Sequence, residues 1–351
     1  MKSDKNKTKV LLGLSGGLDS SIAAYLLKQQ EYNVIGGHIH LYSKSNTPNN
    51  KTENLEKIAN SLDIPLYTIN MEKEFKKYVT DNFINEYRKG YTPNPCILCN
   101  RFVKFQGLLD LADRMSIKYI ATGHYANVYK KRGRYYLKKG IDKKKDQSYF
   151  LYRLTQEQLS RTLFPLGNYH KREIRNIAKQ LGFEVSDIPE SQDVCFIENN
   201  NYYDIVNKHS TKKEAPGEIV DKDNTTLGYH KGISKYTIGQ RKGLGYSFKK
   251  AMYIVDIDAE DNKVIVGSEQ ELYKDELIAS DLNWIAIKNL DKKIKVKAKV
   301  RYQGKEERAV LIPIKKDTVQ VKFNKKIRAV TRGQSIVFYK RNYVVGGGVI
   351  R

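Results

Sequence analysis

LSGGLDSS, at Leu14–Ser21, is the stretch of sequence that decides the fold of this chain. The apolar run Val10–Leu14 leads into it and predicts a buried parallel strand. In Ile22–Leu27, which follows, apolar residues recur at helical spacing. A glycine-rich turn between a strand and a helix presents unpaired helix amides at the positive end of the helix dipole. The stretch therefore predicts an anion site, and phosphate is the anion that such a turn most often binds.

The polar residues of this stretch suggest how the anion is held. The paired glycines let the backbone approach a ligand closely, and the hydroxyls of Ser15, Ser20 and Ser21 are candidate donors. Asp19 would repel phosphate unless a cation lay between them, so it is interpreted as a magnesium ligand or as a cap for the helix amides. No lysine stands at the helix start, so this is not the GxxxxGK[ST] loop. The alternative is a glycine turn that merely caps an ordinary helix.

The length and the charge of the chain limit the number of domains and the kinds of partner that it can have. A chain of 351 residues predicts two or three domains. The net charge of +24, from 63 basic and 39 acidic residues, suits a polyanionic partner, although a lysine-rich host proteome would give the same excess. Basic residues cluster in 292–297 and, beside the aromatic Tyr302, in 301–305, which favours RNA. The sequence has no run as long as a transmembrane helix and no signal-peptide pattern, so we expect a soluble, cytoplasmic protein.

Apolar patterns along the chain predict its architecture. The predicted strands Val10–Leu14, Asn33–His40, Pro65–Ile69 and Tyr119–Thr122 alternate with amphipathic helices through Leu55–Leu62, Phe75–Tyr87 and Phe102–Ala112. This alternation predicts an α/β fold with a doubly wound parallel sheet, whose ligands bind beyond the carboxyl ends of the strands. The polar run Lys44–Lys51 is interpreted as a mobile loop beside that edge.

The second half of the chain has a different pattern. After about residue 200, short segments are punctuated by glycine, and after about 275 apolar residues alternate, as in Ile294–Ala298 and Val319–Phe323. Alternation with turn signals predicts a small β-barrel. We therefore expect a catalytic domain over 1–200, a small central domain over 201–271 and a C-terminal β-barrel over 272–351.

Three cysteines, Cys96, Cys99 and Cys195, are the second chemical signal. Prolines at 93 and 95 predict a helix start beside Cys96, where the helix dipole favours a thiolate. Cys96 and Cys99, three residues apart, face the same side of that helix. A structural zinc site needs four ligands, so the alternatives are sulfur or cluster chemistry and inert burial. His38 and His40 lack a third nearby ligand and are interpreted as packing residues.

Together the motifs resemble one family closely. They are LSGGLDSS, TPNPCILCN, ATGHY, KKDQSYFLYRL, LFPLG, SQDVCFI, APGEIV, TIGQRKGLG, VRYQ, RGQ and VGGGVI, and they cover nearly the whole chain. This set resembles the bacterial tRNA-uridine 2-sulfurtransferases, or tRNA-specific 2-thiouridylases, of the PP-loop ATP pyrophosphatase superfamily. The resemblance implies an adenine nucleotide α-hydrolase-like fold for the first domain.

The resemblance also implies a reaction. ATP and Mg²⁺ would activate the O2 oxygen of a flipped wobble uridine as an adenylate, with loss of pyrophosphate, and a persulfide on Cys195 would then attack C2. Cys99 would supply the second thiol, and AMP would leave. The residues implied for ATP are Gly13, Leu14, Ser15, Gly16, Gly17, Leu18, Asp19, Ser20, Ile39 and Gly123.

Contacts to tRNA are implied in the same way. Asn94, Pro95 and Cys96 would meet the target base, and the remaining contacts would come from Lys145, Asp146, Gln147, Arg301, Tyr302, His124 and Gln334. The alternative for Lys145 is a solvated lysine run, and for His124 it is ordinary burial. The implied partners are wobble-uridine tRNAs, such as those for Lys, Glu and Gln, and a persulfide donor or relay protein, without a membrane.

One residue departs from the family pattern. Aspartate usually stands where this chain has Cys96, which puts an acid–base role for a carboxylate there in doubt. The change creates a CxxC pair plus a distant Cys195, resembling the three-thiol [4Fe–4S] site of other PP-loop tRNA thiolases. Two further alternatives are an amide-forming or lysidine-forming PP-loop enzyme and a non-catalytic RNA-binding protein with a vestigial nucleotide fold.

Overall fold

The computed structural model describes residues 8–42, 50–183, 194–197, 202–208, 214–246 and 250–351. These residues fall into two compact units. The first takes its described residues from Met1–Val79, Cys96–Glu190 and Arg341–Val345, and the second from Thr80–Pro95, Ser191–Lys340 and Gly346–Arg351. The units do not follow sequence order, and the predicted boundaries at 200 and 271 stay a prediction.

In the described residues, strands alternate with helices as far as about residue 208, and the rest of the chain consists mostly of strands. The α-helices are α1 (Leu18–Gln29), α2 (Asn50–Ser61), α3 (Glu72–Phe75), α4 (Asp81–Arg88), α5 (Pro95–Leu98), α6 (Phe105–Arg114), α7 (Gln156–Ser160), α8 (Lys171–Gln180) and α9 (Tyr202–Lys208). The strands are β1 (Lys9–Gly13), β2 (Asn33–His40), β3 (Leu66–Asn70), β4 (Tyr119–Ala121), β5 (Ala126–Lys131), β6 (Arg134–Lys139), β7 (Thr162–Leu163), β8 (Gly217–Val220), β9 (Thr226–His230), β10 (Tyr253–Asp258), β11 (Lys263–Gly267), β12 (Tyr273–Trp284), β13 (Ile294–Lys299), β14 (Glu307–Lys315), β15 (Thr318–Arg328), β16 (Ser335–Lys340) and β17 (Tyr343–Ile350).

The first unit is built on a parallel sheet. In the described residues it has five strands in the order β3-β2-β1-β4-β7, and all four pairings are parallel. The doubly wound fold class is therefore confirmed. Strand order reverses between β1 and β4, so the carboxyl ends of these two strands form the switch point where such sheets bind ligands.

One face of this sheet is covered by α1 and α8. Ile22 and Ala23 of α1 are completely buried, as are Ile174 and Ala178 of α8, and all four belong to one apolar cluster with Val10 of β1. The spacing of four residues in α8 places its two apolar side chains on a single helix face. The packing fixes the start of α8 relative to the start of α1.

Two helical stretches contain π turns. Lys76–Thr80 lies between α3 and α4, and Cys99–Lys104 lies between α5 and α6. The predicted helices over 75–87 and 102–112 are confirmed, but the sequence pattern did not indicate these wider turns. A π turn inserts an extra residue into the helical repeat and is often found at functional sites.

The second unit contains two β structures. In the described residues, β10-β11-β8-β9 form one sheet, and β12-β15-β14-β13-β16-β17 close into a barrel through pairing of β12 with β17, of which residues 343–345 are assigned to the first unit. Inward positions on β13 and β15 are buried and alternate with exposed lysines, as predicted. The C-terminal barrel is therefore confirmed. The predicted mobile loop lies outside the described residues as far as residue 49, and α2 begins at Asn50.

No helix among the described residues is both long and apolar enough to cross a membrane.

Candidate active site

The glycine loop after β1 is a short turn held by the neighbouring strand. Leu14 N–H donates to Gly37 C=O of β2 at 3.0 Å, and Gly16 has a φ of +72°, a conformation that favours glycine. Helix α1 begins at Leu18, with Gly17 as its N-cap and no side-chain cap. The first amides of α1 are thus presented beside β1, as the sequence predicts.

The serine hydroxyls brace this loop. Ser20 Oγ donates to Gly17 C=O at 3.0 Å and accepts from Ser15 N–H at 3.2 Å. Ser21 Oγ donates to the same carbonyl at 3.0 Å. Ser20 and Ser21 are buried, whereas Ser15 is exposed. The geometry therefore gives Ser20 and Ser21 a loop-holding role, and Ser15 is the serine whose hydroxyl is best exposed to a ligand.

Asp19 lies in the first turn of α1 and does not cap the helix. Its Oδ1 accepts from Tyr125 Oη at 2.8 Å and from Lys171 Nζ at 2.6 Å. The Asp19 side chain is 34% exposed and that of Lys171 only 7%. The capping interpretation of Asp19 is therefore wrong, because the carboxylate bonds a phenol and an ammonium from elsewhere in the first unit.

Gly123 allows β4 to approach the start of α1. A Cβ added there would lie 2.9 Å from the carbonyl carbon of Asp19 and 3.0 Å from the amide nitrogen of Ser20. Backbone atoms cannot yield at that distance, so only glycine fits. Ile39 lies at the carboxyl end of β2, where it is half-buried and in register with Ile69 of β3. Both residues predicted to close around a nucleotide thus lie at the same edge of the sheet as the loop.

His124 follows Gly123 and is held as a neutral imidazole. Its Nδ1 lies 2.9 Å from Thr122 Oγ1, and its ring packs near Phe105 and Phe164, with centroids 5.8 and 6.4 Å away. Burial lowers the pKa of His124 to about 3, with a further contribution from the charge of Lys104. Any contact that His124 makes at neutral pH is therefore a hydrogen bond of an uncharged ring.

The segment after β6 is tied to the site by buried polar contacts. Asp146 is buried and accepts from Gly140 N–H at 3.2 Å and Ser148 N–H at 3.1 Å, and burial raises the pKa of its carboxyl. Gln147 Oε1 accepts from Tyr125 N–H at 2.9 Å. Lys145 is half-buried. Of these three predicted tRNA contacts, Asp146 and Gln147 use their side chains to hold the segment in place.

The cysteine pair lies where the sequence predicts a helix start. Pro95 is the first residue of α5, Cys96 the second, and Cys99 begins the π turn. Cys96 is half-buried and Cys99 is buried. The first turn of a helix is the position where the helix dipole favours a thiolate, and Cys96 occupies that position.

Cys195 belongs to the second unit, on a turn anchored by its neighbours. Its side chain is exposed, whereas the ring of Phe196 meets that of Phe83 edge-on at 5.4 Å. Phe196 and Ile197 both pack against the apolar cluster formed by α4 and Val206 of α9. The turn therefore presents a thiol to solvent from a fixed support. The preceding motif residues 191–193 lie outside the described residues.

The other predicted tRNA residues of the second unit lie in two places. Gln334 Nε2 donates to Thr92 C=O at 2.7 Å and so holds the segment that leads to the half-buried Asn94. Arg301 is exposed on the turn between β13 and β14. Tyr302 follows it, with Lys299 Nζ 5.3 Å from its ring centroid.

The histidines on β2 have protein partners. His38 Nδ1 lies 3.3 Å from Leu14 C=O, and His40 Nε2 lies 3.1 Å from Glu72 Oε1. In the part of the chain that the structure describes, no three His, Cys, Asp or Glu side chains form a group that could hold a metal ion.

Comparison with known proteins gives this arrangement a family. Residues 8–199 match the family described as the tRNA methyl transferase HUP domain, 203–268 the tRNA methyl transferase PRC-barrel domain, and 274–350 the aminomethyltransferase beta-barrel domain. A protein of Thermoanaerobacter sp. (strain X514) named tRNA-specific 2-thiouridylase MnmA 2 is 49% identical over 354 residues, which cover 97% of each chain. The chain belongs to the tRNA-specific 2-thiouridylase family.

A second curated relative agrees with this assignment. The 2-thiouridylase MnmA of Clostridioides difficile (strain 630) is 46% identical and covers 97% of this chain and 98% of its own length. Among solved structures, a 4-thiouridine synthetase–RNA complex with bound ATP aligns with a TM-score of 0.32 and 23% identity, over 54% of this chain and 45% of the other. That likeness is too distant to support a functional conclusion.

Two residues of this 2-thiouridylase site were missed by sequence reasoning. Tyr125 is the last residue of the motif ATGHY. An aromatic residue next to a strand is expected to be buried in the core, and Tyr125 is buried, so nothing in the sequence indicated its contact with Asp19. Lys171 lies four residues after the motif LFPLG, among many other lysines, and no sequence pattern marked it. Only the folded chain singles out Lys171, because it lies 152 residues after Asp19 in the sequence.

Proposed function

We propose that this chain is a tRNA-uridine 2-sulfurtransferase that converts the wobble uridine of tRNA to 2-thiouridine with ATP. The observation that carries the proposal is the loop at Gly13–Ser20, whose helix amides face the switch point of a parallel sheet in a member of the 2-thiouridylase family. That position is where doubly wound sheets bind phosphate-bearing ligands. The further contacts proposed for ATP come from Ile39 and Gly123.

The first step is adenylation of the base. The O2 oxygen of the flipped uridine attacks the α-phosphorus, the bond to the β-phosphate breaks, and pyrophosphate leaves. A carbonyl oxygen is a poor leaving group, so its conversion to an AMP ester prepares C2 for substitution. A base must leave its stack to be reached, and we propose that Asn94, Pro95 and Cys96 hold it.

The second step transfers sulfur. We propose that Cys195 carries a persulfide, whose terminal sulfur forms a bond to C2 as AMP leaves with the C2–O electrons. Cys99 then attacks the inner sulfur, so that a Cys99–Cys195 disulfide forms as the persulfide bond breaks and the outer sulfur stays on the base. An external thiol reduces this disulfide before the next turnover. The exposure of Cys195 supports this role, because an external donor must reach its thiol to load the sulfur.

Binding of tRNA is proposed to use both basic and neutral groups. Arg301 and Lys145 would contact phosphates, since Lys and Arg supply most of the affinity for nucleic-acid backbones. Tyr302 would stack or donate, and His124 would act as a neutral hydrogen-bonding group. For Asp146, Gln147 and Gln334, the hydrogen bonds given above support a role in holding the tRNA-facing segments.

Magnesium and an iron–sulfur cluster are finer proposals. Asp19 and Ser15 are hard oxygen donors that fit Mg²⁺, which proteins hold through one or two carboxylates and substrate phosphates. When bound, the ion would neutralise charge on the phosphates. A [4Fe–4S] cluster would take its thiolate ligands from Cys96, Cys99 and Cys195, yet among the described residues no three side chains of these types form a group that could hold a metal ion. The persulfide relay is favoured because the chain otherwise matches a family that works this way.

The test measures adenylation and thiolation separately. Purified protein, ATP, Mg²⁺ and a persulfide donor are mixed with tRNA carrying a wobble uridine or, as a control, a wobble cytidine, and pyrophosphate release and 2-thiouridine formation are both followed. We expect release only with the uridine substrate. Cys99→Ser should keep this release and lose 2-thiouridine formation. Release without tRNA, or driven by an amine substrate, would instead indicate an amide-forming or lysidine-forming enzyme, and its complete absence a vestigial fold.

A further inference from the structure

The glycine loop contains no cation of its own. Residues 13–21 carry a single charged side chain, Asp19, and its charge is negative. A bound triphosphate would face this carboxylate across the first turn of α1. Like charges a few ångströms apart repel each other strongly at a partly buried site, because the effective dielectric constant there is well below that of water. The loop therefore needs a positive group near Asp19 to favour phosphate.

The fold supplies that group from α8. Lys171 Nζ lies 2.6 Å from Asp19 Oδ1 and 5.7 Å from the ring centroid of Tyr125. Its side chain is 7% exposed, which is rare for lysine because burial of the ammonium is costly. Pairing with Lys171 cancels the net charge of the carboxylate at the point where the loop presents its amides.

The position of Lys171 is fixed from several sides. It is the first residue of α8, where His170 and Glu173 form a reciprocal capping box. Its backbone N–H donates to Asp142 Oδ2 at 3.0 Å, and Ile174 anchors the next turn in the core shared with α1. The ammonium is therefore held beside the loop by the backbone of α8 as well as by its ion pair.

An ion pair of this kind is a weak device for stability. Desolvation of two charges largely offsets their attraction when both leave water, and a pair that only joins α1 to α8 would be replaced at little cost by apolar packing. Lys171 lies beside a loop that is built to receive an anion. We propose that Lys171 is a phosphate-binding residue of the ATP site, whose ammonium contacts Asp19 and, when ATP is bound, a phosphate oxygen.

The proposal rests on the proposed ATP site, so its test uses two ligands. ATP and adenosine binding to the full chain without tRNA is measured by calorimetry, in Mg²⁺ and in EDTA. Lys171→Met should weaken ATP about 10- to 100-fold, the usual effect of a lost charged hydrogen bond, and leave adenosine unchanged. Lys179→Met removes one exposed charge from the same helix and should leave both affinities unchanged.

Two further variants test the role of Lys171 even if Lys171→Met does not fold. Asp19→Asn combined with Lys171→Met removes both charges and so avoids an unpaired carboxylate if the single variant does not fold. Compared with Asp19→Asn alone, the double variant should lose a further factor of about 10 or more in ATP affinity, in EDTA as well as in Mg²⁺. Lys171→Arg should recover part of the affinity.

The possible outcomes distinguish failure of the proposed Lys171 role from failure of the proposed ATP-dependent function. The first outcome assumes that the unmodified chain binds ATP. If Lys171→Met then binds ATP as tightly as the unmodified chain, or the double variant binds it as tightly as Asp19→Asn, Lys171 forms only a structural ion pair and the inference is overturned. Equal losses for ATP and adenosine would overturn it as well, because they indicate general damage to the site. If the unmodified chain binds no ATP, the proposed function itself fails.

Discussion

Acid should destabilise this protein through His124. Burial, assisted by Lys104, lowers the pKa of this imidazole to about 3 in the folded chain, whereas an unfolded histidine titrates near 6.5. Between these values the unfolded state binds the extra proton and the folded state does not. Stability is therefore retained above about pH 6.5 and is lost progressively as the pH falls towards 3.

The magnitude follows from the width of that window. Each pH unit below the unfolded pKa costs about 1.4 kcal/mol until the folded pKa is reached. At pH 5, about 1.5 units into the window, the contribution is about 2 kcal/mol, and at pH 7 it is only about 0.2 kcal/mol. A domain with ordinary marginal stability of roughly 5–15 kcal/mol would feel this loss clearly.

The perturbation is His124→Asn. Asparagine does not titrate, and it keeps a short polar group where Nδ1 lies beside Thr122 Oγ1. Urea unfolding is followed at pH 7 and pH 5 for both proteins. We expect the unmodified chain to lose about 2 kcal/mol more than the variant between these two conditions, while the variant is less stable at pH 7 because the ring no longer packs near Phe105 and Phe164.

A control separates the titration of His124 from a general loss of stability. Ile174→Val shortens a completely buried side chain and removes no titratable group, so it should lose as much stability between pH 7 and pH 5 as the unmodified chain. If His124→Asn showed the same loss between pH 7 and pH 5 as the unmodified chain, the reasoning from burial would be refuted. Acid sensitivity would then have to come from other groups of the fold.

Three other expectations follow from the site. Asp19→Ala should abolish tRNA-dependent pyrophosphate release and leave tRNA affinity intact in a gel-shift assay, and normal release would contradict its place in the ATP site. Gly123→Ala should lower stability by roughly 1–3 kcal/mol, because the new Cβ meets α1 backbone at 2.9 Å; an unchanged melting temperature would show that the strand end can yield. Arg301→Ala should reduce the salt slope of tRNA binding by about one, while Gln303→Ala on the same exposed turn should not, and equal slopes would remove Arg301 from the phosphate contacts.

Local patterns predicted the parts of the fold that depend on neighbouring residues. The apolar run before the glycines became β1, and the alternation at Ile294–Ala298 became one strand of the barrel, because burial on one or both faces leaves a short-range periodicity. The proline before Cys96 marked the start of α5 because proline suits the first turn of a helix.

Long-range features were not accessible in this way. The pairing of β7 with β4 involves only two residues, too few for a periodic signal. Residues 80–95 belong to the same unit as the described residues of 191–340, a choice that depends on which apolar surfaces meet after folding. The partner of Asp19 was also hidden, since 63 lysines and arginines compete for that role in the sequence.

The polar residues of the glycine loop show why a motif can predict a site and still misassign its side chains. Ser20 and Ser21 both donate to Gly17 C=O, and Asp19 accepts from two distant side chains. Each of these bonds restrains the turn before any ligand arrives. Because a preorganised loop loses less conformational entropy on binding, the side chains contribute to anion affinity by fixing the backbone amides that face the ligand. The serines and the aspartate of the motif are thus explained mainly by the hydrogen bonds with which they hold the loop in place.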